Sequence, residues 1–173
     1  MGRFLMKLYL IRLILIQALA LSNSWAKNLD AHVHGSVKLD IASDKNQLLV
    51  MMKSPSESFL GFEYVAKNKE DKALVEKVRN EWKKELIKYL GAEALNDCKI
   101  TKSSWKQQFS GKSHSSIIAE SYIQCDEKLS GRLLQVSFKK SYNNIHEVHL
   151  QLIREDGSVV SKEYKEDTFM IKI

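Results

Sequence analysis

Two histidines set two residues apart, His32 and His34, are the strongest chemical signal in the sequence. They lie in the run Ala31-His32-Val33-His34-Gly35-Ser36-Val37-Lys38-Leu39-Asp40-Ile41, which alternates apolar and polar residues for its whole length. Successive side chains of a strand point to opposite faces, so strict alternation predicts a strand with one buried face. Ala31, Val33, Val37, Leu39 and Ile41 would fall inward, leaving His32 and His34 side by side on the polar face. That spacing lets two imidazoles reach one metal ion. Zinc is usually held by three or four His, Cys or carboxylate ligands, so further donors must come from elsewhere in the chain. The remaining histidines are His114, His146 and His149. In a strand over residues 145–154, Val148, Leu150 and Leu152 form the inner face, which places His149 outward as a third ligand if that strand neighbours the first. His146 has inward parity. His114 sits in the polar stretch 110–115, a loop from which it could swing toward a site. Coordination by neutral imidazoles would weaken as pH falls below about 6.5, where free imidazole protonates. Imidazole suits copper as well as zinc.

Other chemistries lack their signatures. No G-x-S-x-G, H-E-x-x-H or glycine-rich phosphate loop occurs. An H-x-H opening also begins some barrel metallohydrolases, but a (β/α)8 barrel needs about 200 residues or more. The residues therefore predict a binding protein and not an enzyme. Lysines are interleaved with Asp and Glu, giving no basic stripe for nucleic acid.

The elements that would position the histidines follow from periodicity. Residues 1–26 read as a secretory signal peptide: Arg3, Lys7 and Arg12 precede the short apolar run 13–21, and Ser24-Trp25-Ala26 suits cleavage. The apolar run is shorter than the roughly 20 residues of a membrane span. Losing those three basic residues would halve the net charge of +6. Residues 27–173 would form a single periplasmic domain.

Within it, the first strand turns at Ser43-Asp44-Lys45-Asn46 and returns over residues 47–53 to Ser54-Pro55. Residues 56–65 read as irregular. Leu74, Val78, Trp82 and Leu86, with Tyr89 and Leu90, mark one amphipathic helix over residues 69–90, with Asn68 at its start and Gly91 at its end. Period-two patterning then predicts strands over 99–109, 116–125, 133–139, 145–154, 158–164 and 168–173, with Asp156-Gly157 as a tight hairpin. The fold class is α+β: a mostly antiparallel sheet with one long helix packed on it. Cys98 and Cys125, two cysteines in an exported chain, favour one disulfide over two buried thiols.

Taken together, Ala31-His32-Val33-His34-Gly35, Ser54-Pro55 followed by Gly61-Phe62-Glu63, and the pair Cys98 and Cys125 ahead of Asp156-Gly157 resemble the ZrgA-like family of bacterial periplasmic proteins. The resemblance spans about residues 30–173. It implies a periplasmic zinc-binding accessory protein that helps deliver zinc to an uptake system, with His32 and His34 as the residues carried over most directly. The chain departs from the family pattern in two places. The His- and acid-rich run between the cysteines is reduced to His114, and Tyr64-Val65-Ala66 follows Gly61-Phe62-Glu63 where a His and an Ala-Pro are usual. A rival reading keeps the fold without the metal, as a structural or protein-interaction module of the envelope.

Overall fold

A computed structural model describes residues 34–111 and 114–173. The readings of residues 1–26 as a leader and of His32 as a ligand lie outside the described residues. In chain order the elements are β1 (Ser36–Asp44), β2 (Gln47–Pro55), α1 (Glu57–Leu60), α2 (Lys69–Tyr89), β3 (Cys98–Ser110), β4 (His114–Cys125), β5 (Leu133–Val136), α3 (Phe138–Ser141), β6 (Glu147–Ile153), β7 (Val159–Tyr164) and β8 (Phe169–Lys172).

Six strands form one sheet in the order β3-β4-β2-β1-β6-β7, and β5 pairs with β8 in a second, two-stranded sheet. The large sheet is mixed: β1 and β6 run parallel, while its other neighbours are antiparallel. A parallel pair cannot be joined by a tight turn. Here the chain leaves β4, passes through β5 and α3, and returns on the far side of β1. The α+β class holds, but the sheet is not wholly antiparallel.

Alternation decides which face is covered. Val37, Leu39 and Ile41 of β1, Leu48, Val50 and Met52 of β2, and Val148, Leu150 and Leu152 of β6 are all buried. Against the β3 side of this sheet packs α2, whose buried stripe is Val75, Val78, Trp82, Leu86 and Tyr89. Fully burying one such side chain stabilises the fold by about 1.5–3 kcal/mol, which is why the stripe and not helix propensity holds α2 in place. Asn68 caps the helix, its side chain accepting from the Asp71 N–H at 2.7 Å.

Three expectations change in detail. The stretch 56–65 is not irregular throughout, since Glu57–Leu60 form the turn of helix α1. Residues 133–139 are a shorter strand followed by the turn of helix α3, because Phe138 is drawn into an aromatic cluster with Tyr89 and Phe59. The stretch 110–115 is not a loop throughout: His114 is the first residue of β4, opposite Ser110.

Cys98 and Cys125 face each other across β3 and β4 and form a disulfide. Beside it Arg132 grips Asp97, its Nη2 2.9 Å from Oδ2, while the Glu127 N–H donates to the same oxygen at 2.9 Å. The guanidinium first, and the Glu127 amide second, hold the Asp97 carboxyl well below the usual carboxylate range. With the folded value depressed, this contribution to stability is present above about pH 4, the unfolded carboxylate value, and is lost as pH falls below it. We expect Asp97→Asn to lower the urea midpoint at neutral pH and to unfold with a shallower acid limb than the parent. Identical acid limbs in a pH series of urea titrations would show that Asp97 does not contribute.

Candidate metal centre

The site lies at one end of the large sheet, where β1, β4 and β6 begin and β2 and β3 end. Pro55 ends β2, since it has no N–H to continue a ladder. The chain then makes the single turn α1, anchored inward by buried Phe59 and Leu60, and leaves it through Gly61 in the left-handed conformation with φ +76°. The Gly61 N–H donates to the Glu57 carbonyl at 2.8 Å. This reversal places Glu57 at the start of the turn and Glu63 just after it, both at the sheet end where His34 sits.

His34 and Gly35 form a turn ahead of β1 and do not belong to the strand. Gly35 has φ +77°, a conformation a strand cannot propagate, so the predicted outward strand position of His34 is corrected to a turn at the sheet end. From there His34 Nδ1 contacts Glu57 Oε2. The ligand atoms of His34, Glu57 and Glu63 all lie within 4.8 Å of one another.

Glu63 is the buried member, 9% exposed. Its Oε2 lies 2.9 Å from His114 Nδ1, whereas its Oε1 is buried with no hydrogen-bond partner among the described residues. An unpaired buried carboxylate oxygen is costly, and a bound cation would offset that cost. Its backbone is fixed too: Ser115 Oγ donates to the Glu63 carbonyl at 2.6 Å, Gln107 Nε2 donates to Ser115 Oγ at 3.0 Å, and the Ser56 N–H donates to the Ser115 carbonyl at 2.9 Å. One imidazole and two carboxylates converging on a point make a zinc-compatible donor set with a coordination position left over.

His149 is elsewhere. The parallel register sets it beside Lys38, four residues beyond His34, and the β6–β7 register sets it opposite Glu163. Its Nε2 is 2.9 Å from Glu147 Oε1 and its Nδ1 4.0 Å from Glu163 Oε2. His149 first among its neighbours holds the Glu147 carboxyl below its ordinary value. This surface trio also engages Lys165, whose Nζ lies 2.9 Å from Glu163 Oε1, so much of its negative charge is already matched. His146 does not follow its predicted inward parity: it is exposed just before β6, with its ring against Gly35. The sulfurs of Cys98 and Cys125 are bonded to each other and are not thiolate ligands.

Of the predicted ligands, the described structure brings His34 and His114 to one sheet end, joined through Glu57 and Glu63, and sets His149 in a separate surface group with Glu147 and Glu163, whose ligand atoms also lie within 4.8 Å of one another. Glu57 and Glu63 escaped the sequence reading because carboxylates are common and carry no periodic mark; only Ser54-Pro55 and Gly61-Phe62-Glu63 hinted that the segment mattered.

No curated protein sequence matches the chain. A family model does, over residues 31–173: that of the ZrgA family zinc uptake proteins. Its span takes in the candidate cluster of His34, Glu57 and Glu63 together with His114, and the chain belongs to that family of zinc uptake proteins.

Proposed function

We propose that this chain is an exported, periplasmic zinc-binding accessory protein that holds zinc at His34, Glu57 and Glu63 and yields it to an uptake system. The observation that carries the reading is Glu63, a buried carboxylate with one oxygen unpartnered among the described residues, set within 4.8 Å of ligand atoms from His34 and Glu57. Family membership makes zinc the cargo that this donor set would take. His114 steadies Glu63 through its Nδ1 on Oε2, and His32, two residues before His34 in the sequence, is a further candidate imidazole. The Cys98–Cys125 disulfide suits an oxidising compartment, as export through the leader at residues 1–26 would require.

A second reading rests on the same contacts. His34 pairs with Glu57 and His114 with Glu63 Oε2, two ion pairs that can stand without a metal in an envelope interaction module.

Calorimetric titration of zinc into the leader-free protein separates the two. We expect one site in the parent, weakened by at least the 10–100-fold typical of lost partners around a metal in His34→Ala and in Glu63→Gln. His149→Ala should bind as the parent does. Absence of heat in the parent would favour the interaction module. Equal loss in His149→Ala and His34→Ala would refute the placement of the site.

A further inference from the structure

The segment between α3 and β6, residues 142–146, holds both ligand-bearing turns. It is a defined turn, closed by the Ile145 N–H donating to the Tyr142 carbonyl at 3.0 Å and anchored by buried Ile145. Asn144 stands at its tip. Its side-chain Nδ2 donates to the Glu57 carbonyl at 3.1 Å, the same oxygen that accepts from Gly61. Its own backbone oxygen lies 2.9 Å from the point where a Cβ on Gly35 would stand. Just beyond Ile145, the N–H groups of His146 and Glu147 donate to the Gly35 carbonyl at 2.8 and 3.2 Å. One short turn thus touches the peptide that carries Glu57 and the turn that carries His34, residues 23 apart in the chain.

We propose that Asn144 is a positioning residue for the metal centre: its amide on the Glu57 carbonyl, together with its peptide against Gly35, fixes the Glu57 and His34 donors relative to each other and so sets zinc affinity. The proposal rests on the reading of the cluster as a zinc site. His34 and Glu57 are both substantially solvent-exposed, with side chains 58% and 41% accessible, so little besides their backbones limits where their donor atoms can go. Holding two such donors in a binding geometry otherwise costs conformational entropy on binding, and partners that pre-orient ligands typically change metal affinity 10–100-fold. Asn144 touches no ligand atom in the described contacts; it acts through Glu57 and Gly35.

The test is zinc calorimetry with apo melting temperatures for the parent, Asn144→Ala, Asn143→Ala, His34→Ala and Glu57→Gln. Asn143 is the exposed neighbour in the same turn and serves as the control. Asn144→Ala should bind zinc about tenfold more weakly with unchanged stoichiometry. Its apo melting temperature should move by no more than about 2 °C, as for other exposed substitutions, and Asn143→Ala should match the parent. Parent-like affinity in Asn144→Ala, with zinc lost in His34→Ala and Glu57→Gln, would overturn the positioning role and leave the site standing. Weaker binding accompanied by a large fall in apo stability would make Asn144 a structural residue and likewise overturn it. Undiminished binding in His34→Ala and Glu57→Gln would remove the site and this proposal with it.

Discussion

Gly35→Ala is expected to destabilise the fold by about 2–4 kcal/mol and to abolish the zinc binding proposed for the sheet end. Two physical terms add. At φ +77° an L side chain is strained, and the added Cβ would stand 2.2 Å from the His146 ring carbon Cδ2 and 2.9 Å from the Asn144 backbone oxygen. The backbone oxygen cannot yield without breaking the turn that also receives the Gly35 carbonyl. Gly157 supplies the comparison: it has φ +80°, but a Cβ there would meet nothing within 4 Å. Gly157→Ala should therefore show the backbone term alone, roughly 1–2 kcal/mol. Urea unfolding of both variants isolates the steric term as their difference, and zinc titration of Gly35→Ala reads its effect on the site. Equal losses of stability in the two variants would mean that the His146 and Asn144 contacts give way freely.

That glycine also marks where the sequence stopped being legible. The alternation of Val37, Leu39 and Ile41 identifies a strand correctly because each of those residues is buried and their neighbours are not. Extending the same alternation back through Gly35 placed His34 on the strand's outer face, but a pattern of polarity does not register a positive φ, and the strand begins only at Ser36. The long helix was readable for the opposite reason: its Asn68 cap, its limits and most of its buried stripe follow from local residues, although Val75 and not Leu74 takes the stripe's first buried position. Even the hairpin at Asp156-Gly157 is local, closed by the Gly157 N–H on the Arg154 carbonyl. Site assembly was not local. His149 has the outward parity predicted for it, yet parity says nothing about register, and the parallel pairing of β6 with β1 sets it beside Lys38. Glu57 and Glu63 reach His34 only because Pro55 ends β2 and Gly61 reverses the chain at the sheet end. No hydrophobic period announces a carboxylate.

The disulfide offers the other large effect, and it tests the location of the site by leaving it alone. Cys98 and Cys125 are 27 residues apart in sequence, a loop whose closure is worth about 3.5 kcal/mol in the chain-entropy model. The double variant Cys98→Ser/Cys125→Ser should therefore lose roughly 2–4 kcal/mol, read as a lower urea midpoint with the denaturant slope little changed. The ladder of β3 and β4 and the grip of Arg132 on Asp97 remain, so the variant should still fold at room temperature. Its zinc stoichiometry and affinity should match the parent's. The bridge joins the start of β3 to the end of β4, whereas His114 begins β4, and the 12 residues of that strand put the candidate metal centre roughly 35 Å away. A zinc site at His34, Glu57 and Glu63 would thus be insensitive to thiol redox state as long as the sheet holds. If the folded double variant failed to bind zinc, or if mild reduction released zinc before any loss of structure, the metal would have to sit at the sulfur end of the sheet, beside Asp97, and the assignment to the far end would be wrong.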